Sequence, residues 1–437
     1  MSKSSVLAAL LTGAALLAFI PDPASAAAVK PVPAAPAPQA SSDDVRNIVD
    51  KGDFYGDMRY RYEHVAQNGV VNKANASTLH TRFGFKTGMY RDFQAALEAE
   101  SVGNIGEDLY NSGINGRATY PTVSDPATNE LNQAWLAWTG LPQTTVKAGR
   151  QIINLDNQRF IGSVAWRQND QTFDAVVVQN QSLDDLTLIY SHVIRVNRIF
   201  GHRNTLGDLR VSADIAHAEY NYAPWLKAVG YGYWHDVALA PTLSLATYGA
   251  RFTGDVPLDD DWTFFYEAEG AKQYDYGNNP VDYSVGYYLL APGLKWNGFT
   301  LQAAYESLGS HNGTRAFQTP LATLHAFNGW ADKFLSTPAK GLEDTYGKVS
   351  YKAAGFGSWV DDTVFDVVYH DYHAAHDTAT ANNYGSEWNY QISRTFKTEK
   401  DTFPFKEWTI GLKYADYNAR DVLTDTKKTW VSISTKF

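Results

Sequence analysis

Asp57-Met58-Arg59-Tyr60-Arg61-Tyr62-Glu63 alternates charged with apolar or aromatic residues at a period of two. Successive side chains of a strand point to opposite faces, so Met58, Tyr60 and Tyr62 share one face and Asp57, Arg59, Arg61 and Glu63 the other. The same reading sets Leu79, Thr81, Phe83, Phe85 and Met89 against His80, Arg82 and Lys86. It then sets Phe93, Ala95, Leu97 and Ala99 against Gln94, Glu98 and Glu100. The alternation returns in Phe299, Leu301, Ala303 and Tyr305, and in Trp408, Ile410, Leu412 and Tyr414. These runs span about ten to fifteen residues, longer than the ~5–6 of a soluble sandwich strand.

Long strands with one apolar face and one charged face are what a transmembrane barrel requires. Lipid accepts only closed sheets or helices, and a barrel interior is wet. Segment by segment, residues 51–437 read as one all-β domain, a transmembrane antiparallel β-barrel of about 18 strands, an even number as bacterial barrels have. The connections agree with this count. Arg91-Asp92, Gly140-Leu141-Pro142 and Trp296-Asn297-Gly298 are tight turns after even strands, whereas the long stretches 103–128, 153–169 and 309–341 follow odd ones. With both chain ends periplasmic, Trp138, Trp225, Trp262, Trp296 and Trp359 then fall at the periplasmic rim, where indoles form an interfacial girdle.

Composition removes other classes. There is no Cys, which excludes thiol nucleophiles, iron–sulfur clusters and thiolate zinc sites. Lys and Arg number 37 against 47 Asp and Glu, and a net charge of −10 argues against nucleic acid as a partner. A mean hydropathy of −0.34 argues against a polytopic helical membrane protein. Lys3, the apolar stretch from Val6 to Ile20 and the small residues Ala24-Ser25-Ala26 compose a secretory signal over 1–26, cleaved near Ala26. A membrane anchor is the alternative, but the run is shorter than the ~20 residues a span needs and Pro21 and Pro23 follow it. Residues 27–50 are a Pro/Ala-rich periplasmic spacer. The localisation expected is the cell outer membrane.

One central block adds a family likeness. Gly149-Arg150-Gln151, Asp156-Asn157-Gln158-Arg159-Phe160-Ile161-Gly162, Trp166-Arg167-Gln168-Asn169 and Phe173-Asp174-Ala175 follow one another closely. Together they resemble the alginate-export family of outer-membrane barrels. The stretch Pro320-Leu321-Ala322-Thr323-Leu324-His325-Ala326-Phe327-Asn328-Gly329-Trp330-Ala331-Asp332-Lys333-Phe334, followed by Gly341-Leu342-Glu343-Asp344, is similar to another block of that family. The resemblance implies an 18-stranded channel, and passage of a polyuronate calls for rings of Arg and Lys.

The expected pore-lining residues are Arg59, Arg61, Arg82, Lys86, Arg150, Arg159, Arg167, Asp57, Glu98 and Asp174, with Lys348 and Lys352 also on the lumen face, a wall of mixed charge. Arg150, Arg159 and Arg167, with Asp156 and Asp174 interleaved, form either a constriction that pairs with solute carboxylates or a set of ion pairs bracing a long loop. Arg150 shares its face with Val146 and Ala148, so only a bulge turns it into the lumen. In 309–341, Leu321, Leu324, Phe327, Trp330 and Phe334 stand at roughly helical spacing, which predicts a short helix over or into the mouth. His370, His373 and His376 alternate faces and make no metal site. Neither a cofactor nor a catalytic motif is expected.

The function expected is passive diffusion of polar, anionic carbohydrate or carboxylate solutes through an outer-membrane channel. A nutrient-uptake or general porin for small organic molecules is the alternative, and a barrel-embedded enzyme or adhesin a third. The expected partners are the solute, outer-membrane lipid and lipopolysaccharide, and the barrel assembly machinery, which would read the final strand ending in Phe437.

Overall fold

The period-two segments become strands of one closed sheet in the computed structural model, which describes residues 43–397 and 405–437. The signal and most of the spacer read from the sequence lie outside the described residues. A single helical turn, α1 (Asn47–Asp50), precedes β1 (Asp53–Gln67), β2 (Ala74–Lys86), β3 (Phe93–Asn104), β4 (Thr128–Leu141) and β5 (Thr144–Gln151). Next come β6 (Thr172–Leu183), β7 (Leu186–Asn197), β8 (Asp208–Ala223), β9 (Leu226–Val237), β10 (Leu245–Pro257) and β11 (Trp262–Asp275). The sheet continues with β12 (Ser284–Trp296), β13 (Phe299–Leu308), β14 (Leu342–Lys352), β15 (Val364–His373), β16 (Asn383–Lys397), β17 (Glu407–Asn418) and β18 (Thr426–Lys436). All 18 belong to one sheet. It closes where β1 runs antiparallel to β18, from Asp57 opposite Lys436 to Gln67 opposite Thr426. Closure leaves no strand edge unpaired, the condition for placing a sheet in lipid.

Turn chemistry sets the two ends apart. Arg91 (φ 47°) with Asp92 (φ 66°), and Asn297 (φ 47°) with Gly298 (φ 82°), occupy the left-handed conformation that a two-residue hairpin needs. These turns, with 142–143, 184–185 and 224–225, define a short-turn end. The connection after β14 is longer but lies at the same end. Trp262 stacks on Trp296 there with ring centroids 5.2 Å apart, and Trp225 and Trp359 are exposed at this end too. The connections 105–127, 152–171 and 309–341 all leave the opposite, long-loop end.

The faces divide as the alternation requires. Phe83, Leu97, Leu136, Val176, Tyr248, Leu290, Leu301, Trp388, Ile410 and Ile433 are exposed on the outside, a band suited to lipid. The buried apolar cluster lies inside the barrel instead. It joins Ile153, Ile161, Trp166, Phe317, Leu321 and Trp330 from the long loops to Phe173, Ile215, Tyr233, Tyr287, Tyr372 and Trp430 of the wall.

Candidate functional site

The lumen is shaped by the three long connections, which turn inward. Connection 152–171 crosses to β1, where Arg59 donates from Nε to Gln168 Oε1 (2.9 Å) and from Nη1 to the Ala165 carbonyl (2.9 Å). Arg61 donates to the Trp166 carbonyl (2.5 Å) and pairs with Asp125 of connection 105–127 (3.0 Å). Asp125 also accepts the Gln168 backbone N–H at 2.7 Å, so two loops are tied at one carboxylate.

Connection 309–341 folds against the same loop. The Gly162 N–H reaches the Leu321 carbonyl at 2.9 Å, and the Thr323 N–H reaches the Gln158 carbonyl at 3.0 Å. The helix expected here is a correction: only Leu324–Ala326 forms a single 3-10 turn. Asn328 (φ 54°), Gly329 (φ 85°) and Asp332 (φ 58°) sit in the left-handed region, which no continuing right-handed helix admits. At Gly329 a Cβ would lie 2.2 Å from Tyr372 Oη and 2.5 Å from Glu387 Oε2, so the chain can pass only without a side chain. That close approach lets the Ala331 N–H donate to Glu387 at 2.8 Å.

The arginines of 152–171 complete the lock. Arg159 pairs with Glu306 of β13 (2.8 Å) and donates to Asn328 (3.0 Å), whose amide in turn donates to Glu306 (2.6 Å) and Asp344 (3.1 Å). Arg167 bridges Glu63 of β1 (3.1 Å) and Asp332 (2.7 Å), and Lys428 of β18 meets the same Asp332 oxygen at 2.7 Å. His325 Nδ1 lies 2.7 Å from the other Asp332 oxygen, and its ring stacks on Trp166 with centroids 4.2 Å apart. Burial holds the His325 imidazole down to about 3, leaving it neutral and a donor. Burial alone would raise the Asp332 carboxyl, but Lys428, His325 and Arg167 hold it well below the usual carboxylate range. A buried anion with three such partners fastens the loop to the wall.

Of the residues singled out in the sequence, Arg59, Arg61, Asp57, Arg82, Lys86 and Glu98 face inward. Arg82 joins Asp57 to Asp170 (2.6 Å to the latter), and Glu98 accepts from Asn132 at 2.8 Å. Arg159 and Arg167 are buried in the loop lock, the bracing alternative. Arg150 and Asp174 require a correction, because they pair with each other at 2.8 Å on the outer face. The β5–β6 register runs unbroken from Thr144 to Gln151, so no bulge reverses Arg150 from the face of Val146 and Ala148. Its neighbours Phe173 and Gln151 are the ones buried inside.

Four solvated cations stand on the inner wall: the sequence places Lys348 and Lys352 there, and sequence reasoning passed over Lys227 and Lys295. Lys227 (paired with Glu219 at 3.2 Å), Lys295 (Asp255, 2.9 Å), Lys348 (Asp366, 3.6 Å) and Lys352 (Asp362, 2.8 Å) all lie toward the short-turn end. They share the inward parity of buried Val229, Ala291 and Asp344 on their own strands. That parity was the available signal for Lys227 and Lys295.

The sequence model of the family described as alginate export matches residues 51–279, more than half of the chain. The chain belongs to the alginate-export family. No curated relative matches it. Among solved structures, this alginate-export barrel is similar to OccAB2 of Acinetobacter baumannii, with a TM-score of 0.69 at 15% identity, covering 90% of this chain and 99% of that one. It is also similar to OccD3 (OpdP) of Pseudomonas aeruginosa, with a TM-score of 0.67 at 16% identity over 90% and 93%. OpdK of Pseudomonas aeruginosa, solved with vanillate, has a TM-score of 0.66 at 13% identity over 88% and 98%. These likenesses establish for the alginate-export chain the closed 18-stranded architecture of outer-membrane porins.

Proposed function

We propose that the protein is a passive outer-membrane channel for polar, anionic carbohydrate or carboxylate solutes. The observation that carries this reading is the row of half-exposed lysines, Lys227, Lys295, Lys348 and Lys352, on the inner wall. Cations held in a narrow, low-dielectric cleft concentrate anions far more than the same charges on a convex surface. Each of these lysines has a carboxylate partner, Glu219, Asp255, Asp366 and Asp362 in turn, so the anion preference is moderate and not absolute. The inward loops add selection by size. OpdK was solved with vanillate, a carboxylate on a small ring, and supports carboxylates as a solute class for this architecture. The direction of net flow follows the solute gradient.

The test is the reversal potential of the refolded protein in a planar bilayer under a salt gradient, followed by titration with oligouronates and small carboxylates. Anion-selective openings blocked by these solutes support the reading. Cation-selective openings indifferent to them would overturn it.

A further inference from the structure

The outer wall carries a feature that solute passage does not use. Arg150 of β5, Asp174 of β6, Arg195 of β7 and Asp208 of β8 form one ladder of ion pairs on the outward face, with Arg195 3.6 Å from Asp174 and 2.8 Å from Asp208. The ladder lies at the long-loop ends of these strands. Arg210 continues it: it stands directly opposite Arg195 in the β7–β8 register and is exposed. Like charges facing each other across two strands are destabilising, and a shared anion relieves them. Among the described residues, Arg210 has no carboxylate partner. Below the ladder, His192 Nδ1 and Tyr190 Oη both meet Asp214, at 2.9 Å and 2.6 Å. The polar layer thus ends on Tyr190.

Beneath this head layer the wall is grooved. One open depression of about 420 Å³ is floored by Gly149 and Ala175, flanked by Leu131, Val176 and Ile194 and headed by Arg150, Asp174 and His192. A second, also about 420 Å³, lies along β6–β9 where Ala216, Ala218 and Gly230 leave the sheet bare beside Leu188 and Tyr190. Three aspartates balance most of this layer, but the facing Arg195 and Arg210 with an apolar groove below are complementary to an amphiphile whose head is anionic and whose tails run along the strands.

We propose that this β5–β9 face binds one phosphorylated, multiply acylated lipid of the outer leaflet, of the lipid A kind. Its phosphate sits between Arg195 and Arg210, and an acyl chain lies in the groove over Gly230. A second copy of the chain would leave the facing Arg195 and Arg210 without the shared anion that a phosphate supplies. The site is independent of which solute crosses the lumen and rests only on the barrel standing in a membrane.

The test is native mass spectrometry of the refolded barrel in detergent, titrated with bisphosphorylated lipid A, with its dephosphorylated form and with phosphatidylethanolamine. We expect one retained lipid A per chain and about ten-fold weaker retention of the dephosphorylated form. The double substitution Arg195→Gln and Arg210→Gln is expected to weaken lipid A by a similar factor. A Cβ built at Gly230 meets nothing within 4 Å, so Gly230→Leu should fold, fill the groove and weaken retention, while Lys427→Gln on β18 leaves it unchanged. Equal retention by every variant, equal retention of phosphorylated and dephosphorylated lipid, or a lipid-free oligomer that the double substitution dissolves would each overturn the proposal. Unaltered conductance in the double variant would separate this site from the channel reading.

Discussion

Two sets of cations share the inside of the barrel and do different work. Arg61, Arg159 and Arg167 expose only 1%, 2% and 6% of their side chains, whereas Lys227, Lys295, Lys348 and Lys352 expose 36%, 28%, 30% and 41%. A guanidinium presents a planar fork of donors and is weakly hydrated, so it can satisfy several carboxylates and carbonyls out of water. An ammonium is a strongly hydrated point charge that keeps its field toward solvent. The arginines therefore set where the loops stand, and the lysines set what the water beside them contains. Charge type alone does not separate a brace from a selective site; desolvation does.

The comparison is broken most strongly by removing what the arginines hold. Deleting residues 315–338 should raise single-channel conductance by a factor of about two or more, because a wider lumen conducts more. Unchanged conductance would mean that the inward loop does not narrow the path. Arg167→Leu leaves Glu63 and Asp332 short of a partner away from water, a loss of about 3–5 kcal/mol in loop docking. Its expected signature is rapid proteolysis within 309–341 with the wall intact, and a protease pattern like wild type would show that the lock is not needed.

Reversing the solvated set should have the opposite profile. Lys227→Glu with Lys348→Glu should move the reversal potential toward cations yet leave the loop proteolysis pattern unchanged, because neither lysine touches the loop lock. Acidification sharpens the contrast further. An unfolded His takes up its proton near 6.5, while docked His325 does so at about 3. Between those values the undocked loop binds more protons, so docking is complete above about pH 6.5 and weakens as pH falls toward 3. Asp332, held low, adds its own loss only in stronger acid. Loop proteolysis followed from pH 8 to pH 4 should accelerate in wild type and stay flat in His325→Gln. The smallest effect belongs to Arg150→Gln, which should leave selectivity unchanged because Arg150 faces outward; a shifted reversal potential would return it to the lumen.

How much of this was legible follows from the range of each interaction. The strands were readable because alternation is local: β1 declares its faces in Asp57 to Glu63, and the turn Asn297-Gly298 declares itself in two residues. The closure of β1 on β18 was implied by strand parity. The loop lock was not readable, since nothing near Arg159 announces Glu306 and nothing near Arg167 announces Asp332. The apolar spacing of Leu321, Leu324 and Phe327 suggested a helix because burial against an irregular wall and burial along a helix face use the same residues. The left-handed turns at Asn328, Gly329 and Asp332, fixed by the contact of Gly329 with Tyr372 and Glu387, decided otherwise. Arg150 was left on either face by its local sequence, and the unbroken β5–β6 register resolved it.

The central claim, a channel whose solvated lysines favour anions past arginine-braced loops, is tested most directly by single-channel recording of the refolded protein under a salt gradient. We predict discrete openings with a reversal potential on the anion side that Lys227→Glu with Lys348→Glu moves toward cations. Openings with cation preference, or a preference that the lysine substitutions leave untouched, would contradict it.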